Sequence, residues 1–511
     1  MSRAARARDR PGHAAASLAP PARGHGSHEI SRRAPHGPAA HHRHARHGPS
    51  LRPARSMTMP QPHRLDWTNA WPAAPLGRLA PDATAQHDLH KGELAHRLKA
   101  ELAAGHLPFI DMPYRDALVA GLAALQPTLS RYRHMVLLGI GGSALGARAL
   151  QRAFFPQQDR PGHDGPWLWI ADNVDAGTME AWFASLPPEQ TIVVAVSKSG
   201  GTIETLAQYF LAKQWLQSAL GSAWREHMLV VTDEKAGFLR QEANAAGLPA
   251  LPVPDHLGGR YSVLSAVGLV PAAFLGLNWR GLLDGALAAG ADLVADPARA
   301  LPGHPAWRLA LWNMALADAG YSQLIFFCYV PLWAPFGPWF AQLWAESLGK
   351  EGKGTMPLPA VGVTDQHSLQ QMFLDGPRDK GCLFLTSPGL PQGRPFPDDL
   401  PDKWAFLKGR RFGELLDAEG LGTRMALAKQ GTPLVELRMG DTDEAAAGRL
   451  MGLLELTTLF TGWLMNINPL DQPAVELGKR LANARLGAPG YPAEDADLAA
   501  FLGRAEQSQE F

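Results

Sequence analysis

Three hydroxyls, one ammonium and two glycines fall within six residues at SKSGGT, Ser197 to Thr202. That mixture suits an anion. Ser197, Ser199 and Thr202 offer O–H donors, Lys198 offers a positive charge, and glycine turns let backbone N–H groups converge on one point. Upstream, GIGGS (Gly139 to Ser143) is a second glycine turn, with Gly142 and Ser143 at its end. Each turn follows an apolar run and precedes a helix-like pattern. Each therefore sets a helix N-terminus, where the macrodipole favours negative charge, beside the turn. The two together point to one phosphate monoester. GIGGS has Ala144 where a dinucleotide fingerprint has its last glycine, and no P-loop lysine follows, so a nucleotide cofactor is not expected.

Four further segments carry groups for proton chemistry. GGRYS (Gly258 to Ser262) puts Arg260 behind two glycines, a fixed cation for a developing negative charge or an ordinary surface arginine at a helix start. WFAQLWAESLGK places Glu346 at the end of an aromatic-rich element. A carboxylate held against Trp and Phe has a raised pKa, which suits a general base near neutrality; the plainer reading is a solvated helix-end glutamate. DQHSLQQMF carries His367 at an expected strand-to-helix junction, structural or functional. DQPAVELGK spaces Gln472 and Lys479 seven apart, which on one helix puts both on the same face, toward a cleft or toward solvent.

These segments need a scaffold, and the chain supplies a regular one. MVLLGI, WLWIAD, TIVVAV, HMLVVTD and LPALPV read as short buried strands separated by helical patterns. SQLIFFCYV, LPAVGV, CLFLTS and PLVELRM repeat the theme, and a long helical pattern follows from Asp443 to about Asn466. This is α/β organisation, two doubly wound parallel sheets whose ligand sits beyond the strands' carboxyl ends. The expected divisions are a tail (1–56), a first domain with N-terminal helices (57–290), a second domain (291–465) and a C-terminal helical arm (466–511). Residues 60–130 read as helices with proline-marked breaks.

Formal net charge is zero, which gives no sign of a nucleic-acid or anionic-membrane partner. The zero conceals an asymmetry. Residues 1–56 carry eleven Arg, no Lys and two acids, with eight of the nineteen His. Without apolar periodicity this tail is expected to be disordered. It reads as a targeting peptide, a basic binding arm, or an extension upstream of a start at Met57 or Met59, the last being favoured. The uncharged stretches from Tyr261 to Trp279 and from Ala319 to Ala345 have spanning length, but serines and prolines interrupt them, so buried core is expected in place of a membrane span. Two cysteines, Cys328 and Cys382, give neither a disulfide framework nor metal-ligand spacing. They fit a reducing cytoplasm.

Taken in order, GIGGS, SKSGGT with the following Glu204-Thr205, GGRYS, ESLGK, DQHS and DQPAVELGK resemble the glucose-6-phosphate isomerase family, over about residues 60 to 490. The resemblance implies two sugar-isomerase domains and a cytoplasmic enzyme of glycolysis and gluconeogenesis. It also implies reversible conversion of glucose 6-phosphate to fructose 6-phosphate through a cis-enediolate, with no metal or redox cofactor. By the same resemblance, Gly142, Ser143, Ser197, Lys198, Ser199 and Thr202 hold the phosphate. Glu346 moves the proton and Arg260 stabilises the enediolate. His367 and Lys479 assist ring opening, and Gln472 contacts substrate. The histidine is supplied by a neighbouring subunit, which implies a homodimer. Gly200 and Gly201 stand where relatives often carry threonine or a bulkier residue, and Leu348 and Pro473-Ala474 fall at variable positions. Two other readings stay open from sequence: an isomerase that also accepts mannose 6-phosphate, and a silent sugar-phosphate sensor.

Overall fold

A computed structural model describes residues 61–72, 79–504 and 508–509. The tail expected at residues 1–56 lies outside them. Residues 59–511 form one compact unit, built around two five-stranded sheets.

The first sheet holds β2 (His134–Leu138), β3 (Trp167–Ala171), β4 (Thr191–Ser197), β5 (Met228–Thr232) and β6 (Ala250–Pro252), in the order β3-β2-β4-β5-β6. Every pair is parallel. Every residue of β4 and β5 is buried. That is the reason they read as unbroken apolar runs: helices cover both faces of a parallel sheet. From β2 the chain crosses to β3 on one side and then to β4 on the other. The winding direction therefore reverses between β2 and β4, and a crevice opens at their carboxyl ends. GIGGS leaves β2 there, and SKSGGT leaves β4.

The second sheet repeats this winding with β7 (Gln323–Cys328), β8 (Met356–Val361), β9 (Lys380–Thr386) and β10 (Leu434–Arg438), in the order β8-β7-β9-β10. All nine strands expected from sequence are present. A tenth was not foreseen. Residues in the stretch read as helical form β1 (Arg64–Asn69), which pairs antiparallel with β10, Leu65 opposite Leu437 and Asp66 opposite Glu436.

Two long helices, Trp279–Ala295 and Glu444–Leu464, cross with their backbones in contact. A methyl group on Gly448 would lie 2.0 Å from the carbonyl oxygen of Leu282, so only glycine permits this approach. The stretches checked for membrane spans are interior segments. The first contains the buried helix Ala266–Phe274, and the second splits into β7 and the helix Phe336–Leu348. Among the described residues no helix is long and apolar enough to cross a membrane. Cys328 and Cys382 are unpaired and buried, and burial pushes the Cys328 thiol up to about 12, which makes it an apolar filler.

Candidate functional site

The crevice between β2 and β4 opens into a cleft of about 1340 Å³. Gly142, Ser143, Lys198, Ser199, Thr202, Arg260, Glu346, Gln472 and Lys479 all line it. At its inner end the SKSGGT turn is braced from below. Thr232 Oγ1 donates to the Ser197 carbonyl at 2.7 Å, and the Asp233 amide donates to the Lys198 carbonyl at 3.1 Å. Ser197 itself does not line the cleft. It is buried, with its hydroxyl 2.9 Å from Thr202 Oγ1, so it orients the threonine that does. Ser199 and Thr202 face the opening just ahead of the helix Ile203–Leu220. Desolvation pulls the Lys198 ammonium below its ordinary value, against the opposing fields of Asp255 and Asp233. An incoming anion would replace the solvation that burial removes.

GIGGS meets the glycine turn of GGRYS backbone to backbone. A Cβ on Gly142 would lie 2.3 Å from the carbonyl carbon and oxygen of Gly259. GIGGS thereby sets the height of the segment that carries Arg260. That arginine is 2% exposed, and its hydrogen bonds are complete. Nε donates to Ser347 Oγ at 2.7 Å. Nη2 donates to the carbonyls of Pro469 (2.6 Å) and Asp471 (3.0 Å). Nη1 donates to Gln472 Oε1 (2.5 Å) and Glu346 Oε2 (3.3 Å). Four of the five bonds go to neutral acceptors. Glu346 is the one carboxylate, at the longest distance.

Glu346 sits on the last turn of the helix Phe336–Leu348. The aromatic surroundings expected for it are not what it meets. Trp339, Phe340 and Trp344 are buried in the core, whereas the Glu346 side chain is 32% exposed and faces the cleft. Its other oxygen accepts from Gln342 Nε2 at 2.8 Å, one turn back on the same face. Gln342 and Ser347 escaped the sequence reading, although the four-residue spacing of Gln342 from Glu346 was visible. Lys350 was missed as well. It pins the loop before Gln472 by donating to the carbonyls of Asn468 and Asp471 and pairing with the Asp471 carboxylate.

Gln472 and Lys479 both reach the cleft, but not from one helix. Gln472 precedes a short turn at Pro473–Val475, and the helix Glu476–Arg485 begins after it. Lys479 Nζ pairs with Glu476 at 2.7 Å. His367 does not line this cleft. It borders a separate, largely apolar cavity of about 730 Å³ beyond the second sheet, with Leu332, Trp333, Phe412 and Leu416. Among the described residues no cluster of metal-ligating side chains occurs.

A cleft with hydroxyls and an ammonium at one end, and a carboxylate facing a saturated guanidinium further along, can bind an anionic substrate and move a proton on it. Comparison with known proteins identifies the family. Residues 123–373 match the family model described as phosphoglucose isomerase. A glucose-6-phosphate isomerase of Rubrobacter xylanophilus is 40% identical over 364 residues, covering 70% of this chain and 83% of that protein. One of Thermus thermophilus is 36% identical over 415 residues, covering 80% and 97%. The crystal structure of a hypothetical protein of Thermus thermophilus superposes with a TM-score of 0.75 at 34% identity, covering 83% of this chain and 99% of that one. The chain belongs to the phosphoglucose isomerase family.

Proposed function

We propose that this protein interconverts glucose 6-phosphate and fructose 6-phosphate. The observation that carries the reading is the Glu346 carboxylate, 3.3 Å from a guanidinium that is otherwise fully engaged, in the same cleft as the SKSGGT turn. The phosphate binds to Ser143, Ser199, Thr202 and Lys198, with Ser197 holding Thr202 in place. Tethering the sugar there converts an encounter into a positioned reaction. Glu346 takes the proton from C2 of the open-chain aldose. The C–H electrons form the C1–C2 double bond, and the carbonyl electrons move onto O1. As Glu346 becomes neutral, the Arg260 Nη1–H that it shared at 3.3 Å turns to that oxygen and stabilises the cis-enediolate. The O2 proton passes to O1, and Glu346, now neutral, returns its proton to C1 as the C2 carbonyl forms, which gives the ketose. Lys479 assists ring opening, and Gln472 contacts substrate while holding Arg260.

His367 acts from a second copy of the chain. Its position in a cavity apart from the cleft supports this reading, as do the exposed apolar residues near it, Leu332, Leu369, Met372 and Phe412. The cleft also exceeds the roughly 300–1,000 Å³ usual for a small ligand, which leaves room for a partner's side chain. In this reading residues 57–290 and 291–465 are two sugar-isomerase domains, and the arm 466–511 returns to the first and closes the cleft with Lys479. A cytoplasmic location fits two buried, unpaired cysteines.

The test is a coupled assay in which fructose 6-phosphate is the only substrate and a dehydrogenase reports glucose 6-phosphate. Wild type should turn over. Glu346→Gln should lose nearly all turnover, on the order of 10³-fold or more, yet still bind fructose 6-phosphate. Glu346→Gln turnover within about tenfold of wild type would remove Glu346 from the role of base.

A further inference from the structure

Ser347 lies beside the base in sequence and behind the cation in space. It is fully buried and belongs to the same last helical turn as Glu346. Adjacent helix residues point about 100° apart, so one turn can present a carboxylate to the cleft and a hydroxyl to the interior. That is what happens here. Glu346 meets Arg260 at Nη1, and Ser347 meets the same guanidinium at Nε, at 2.7 Å. The Ser347 hydroxyl also lies 3.2 Å from the Tyr261 hydroxyl, and Tyr261 is the residue after Arg260. The serine thus joins the helix that carries the base to the segment that carries the cation.

We propose that Ser347 is a positioning residue. Its hydroxyl fixes the angle of the Arg260 plane, so that the Nη1–H shared with Glu346 is already aimed where negative charge forms on the substrate. The inference rests on the isomerase reading above and adds a residue to it. The other acceptors, Pro469 O, Asp471 O and Gln472 Oε1, belong to a loop downstream of the buried helix Glu444–Leu464. Ser347 is the one neutral acceptor of Arg260 that shares a rigid element with the base. Without it the plane can tilt about its Nη contacts, and the distance to the enediolate oxygen is no longer set by the helix that sets the base.

The test uses the full chain and the coupled fructose 6-phosphate assay. Ser347→Ala should lower kcat about 10–100-fold while KM changes less than about threefold, because phosphate binding is untouched and only alignment is lost. Ser347→Cys places a larger but still weakly accepting atom there, and should recover part of that loss. The decisive arm is the Arg260→Lys background, which has no Nε–H to place. There, Ser347→Ala should cost less than about threefold further. The proposal is overturned by full turnover in Ser347→Ala, by a Cys variant as slow as Ala, or by an equal additional loss in Arg260→Lys. If Ser347→Ala melts out, the Cys variant and its Arg260→Lys double mutant carry the same comparison. No turnover in wild type would refute the isomerase reading itself, which separates that failure from a failure of Ser347.

Discussion

Gly142→Ala tests whether the phosphate side of the cleft sets the position of the cation. The added methyl would lie 2.3 Å from both carbonyl atoms of Gly259 and 2.8 Å from the Arg260 amide nitrogen. Ordinary contact begins near 3.4 Å, so one backbone must retreat by about 1 Å, and no flexible side chain can absorb the strain. Arg260 cannot follow freely. Its Nη2 is held at 2.6 Å from Pro469 O and its Nε at 2.7 Å from Ser347 Oγ. Overpacking of this kind costs about 1–3 kcal/mol of stability. Misplacing a catalytic group by about 1 Å costs on the order of 10²-fold in rate. The variant should remain folded and lose roughly that factor in kcat/KM, measured with fructose 6-phosphate in the coupled assay beside a thermal melt. Gly92→Ala is the control. It lies near the start of the exposed face of the helix Lys91–Ala103 with nothing within 4 Å of the new methyl, and should leave activity unchanged. Gly142→Ala activity within about threefold of wild type would refute the claim that the turn contact positions Arg260.

Three further outcomes are expected. Ser199→Ala combined with Thr202→Ala should raise KM for fructose 6-phosphate more than it lowers kcat, since these hydroxyls grip the phosphate at a distance from C1 and C2; an unchanged KM would move the phosphate elsewhere. If His367 comes from a second copy, mixing unfolded Glu346→Gln and His367→Ala chains and refolding them together should restore about a quarter of wild-type activity, because half the pairs are hybrids with one intact site of two; no recovery in a mixture shown to exchange subunits would place His367 outside the partner's cleft. Glu455 is fully buried with both oxygens unpartnered, and burial raises its pKa well above the ordinary carboxylate value. The unfolded chain gives up this proton at lower pH than the folded one, so stability falls as pH rises past the unfolded value. Glu455→Gln should therefore melt higher than wild type at pH 8, with the gap closing below about pH 4; a gap independent of pH would show that folding leaves this carboxyl's pKa unchanged.

Much of this was legible because parallel strands are covered on both faces. Their apolar runs end abruptly, and at β4 the end is SKSGGT itself. The side of the helix on which Glu346 lies was harder to read. Trp344 and Phe340 are close in sequence yet point into the core, while Gln342, a full turn away, is the true neighbour. The helical period contained that answer, and adjacency concealed it. Pro473 likewise signalled that Gln472 stands outside the helix of Lys479. Ser347 carried no such signal, since its importance arises from a contact with a segment 87 residues away. If His367 serves a second copy, as proposed, its destination is not written in one chain at all.

The tenth strand bears on how this molecule avoids sticking to others. β10 is the last parallel strand of its sheet, and without Arg64–Asn69 its amides and carbonyls would face outward as a template for any passing extended chain. The segment that shields it returns from more than 360 residues earlier in the sequence and contributes alternating Arg64, Asp66 and Thr68 to the exposed side. A protein cut just after Asn69 would keep every side chain of the cleft and still be prone to join edge to edge into aggregates.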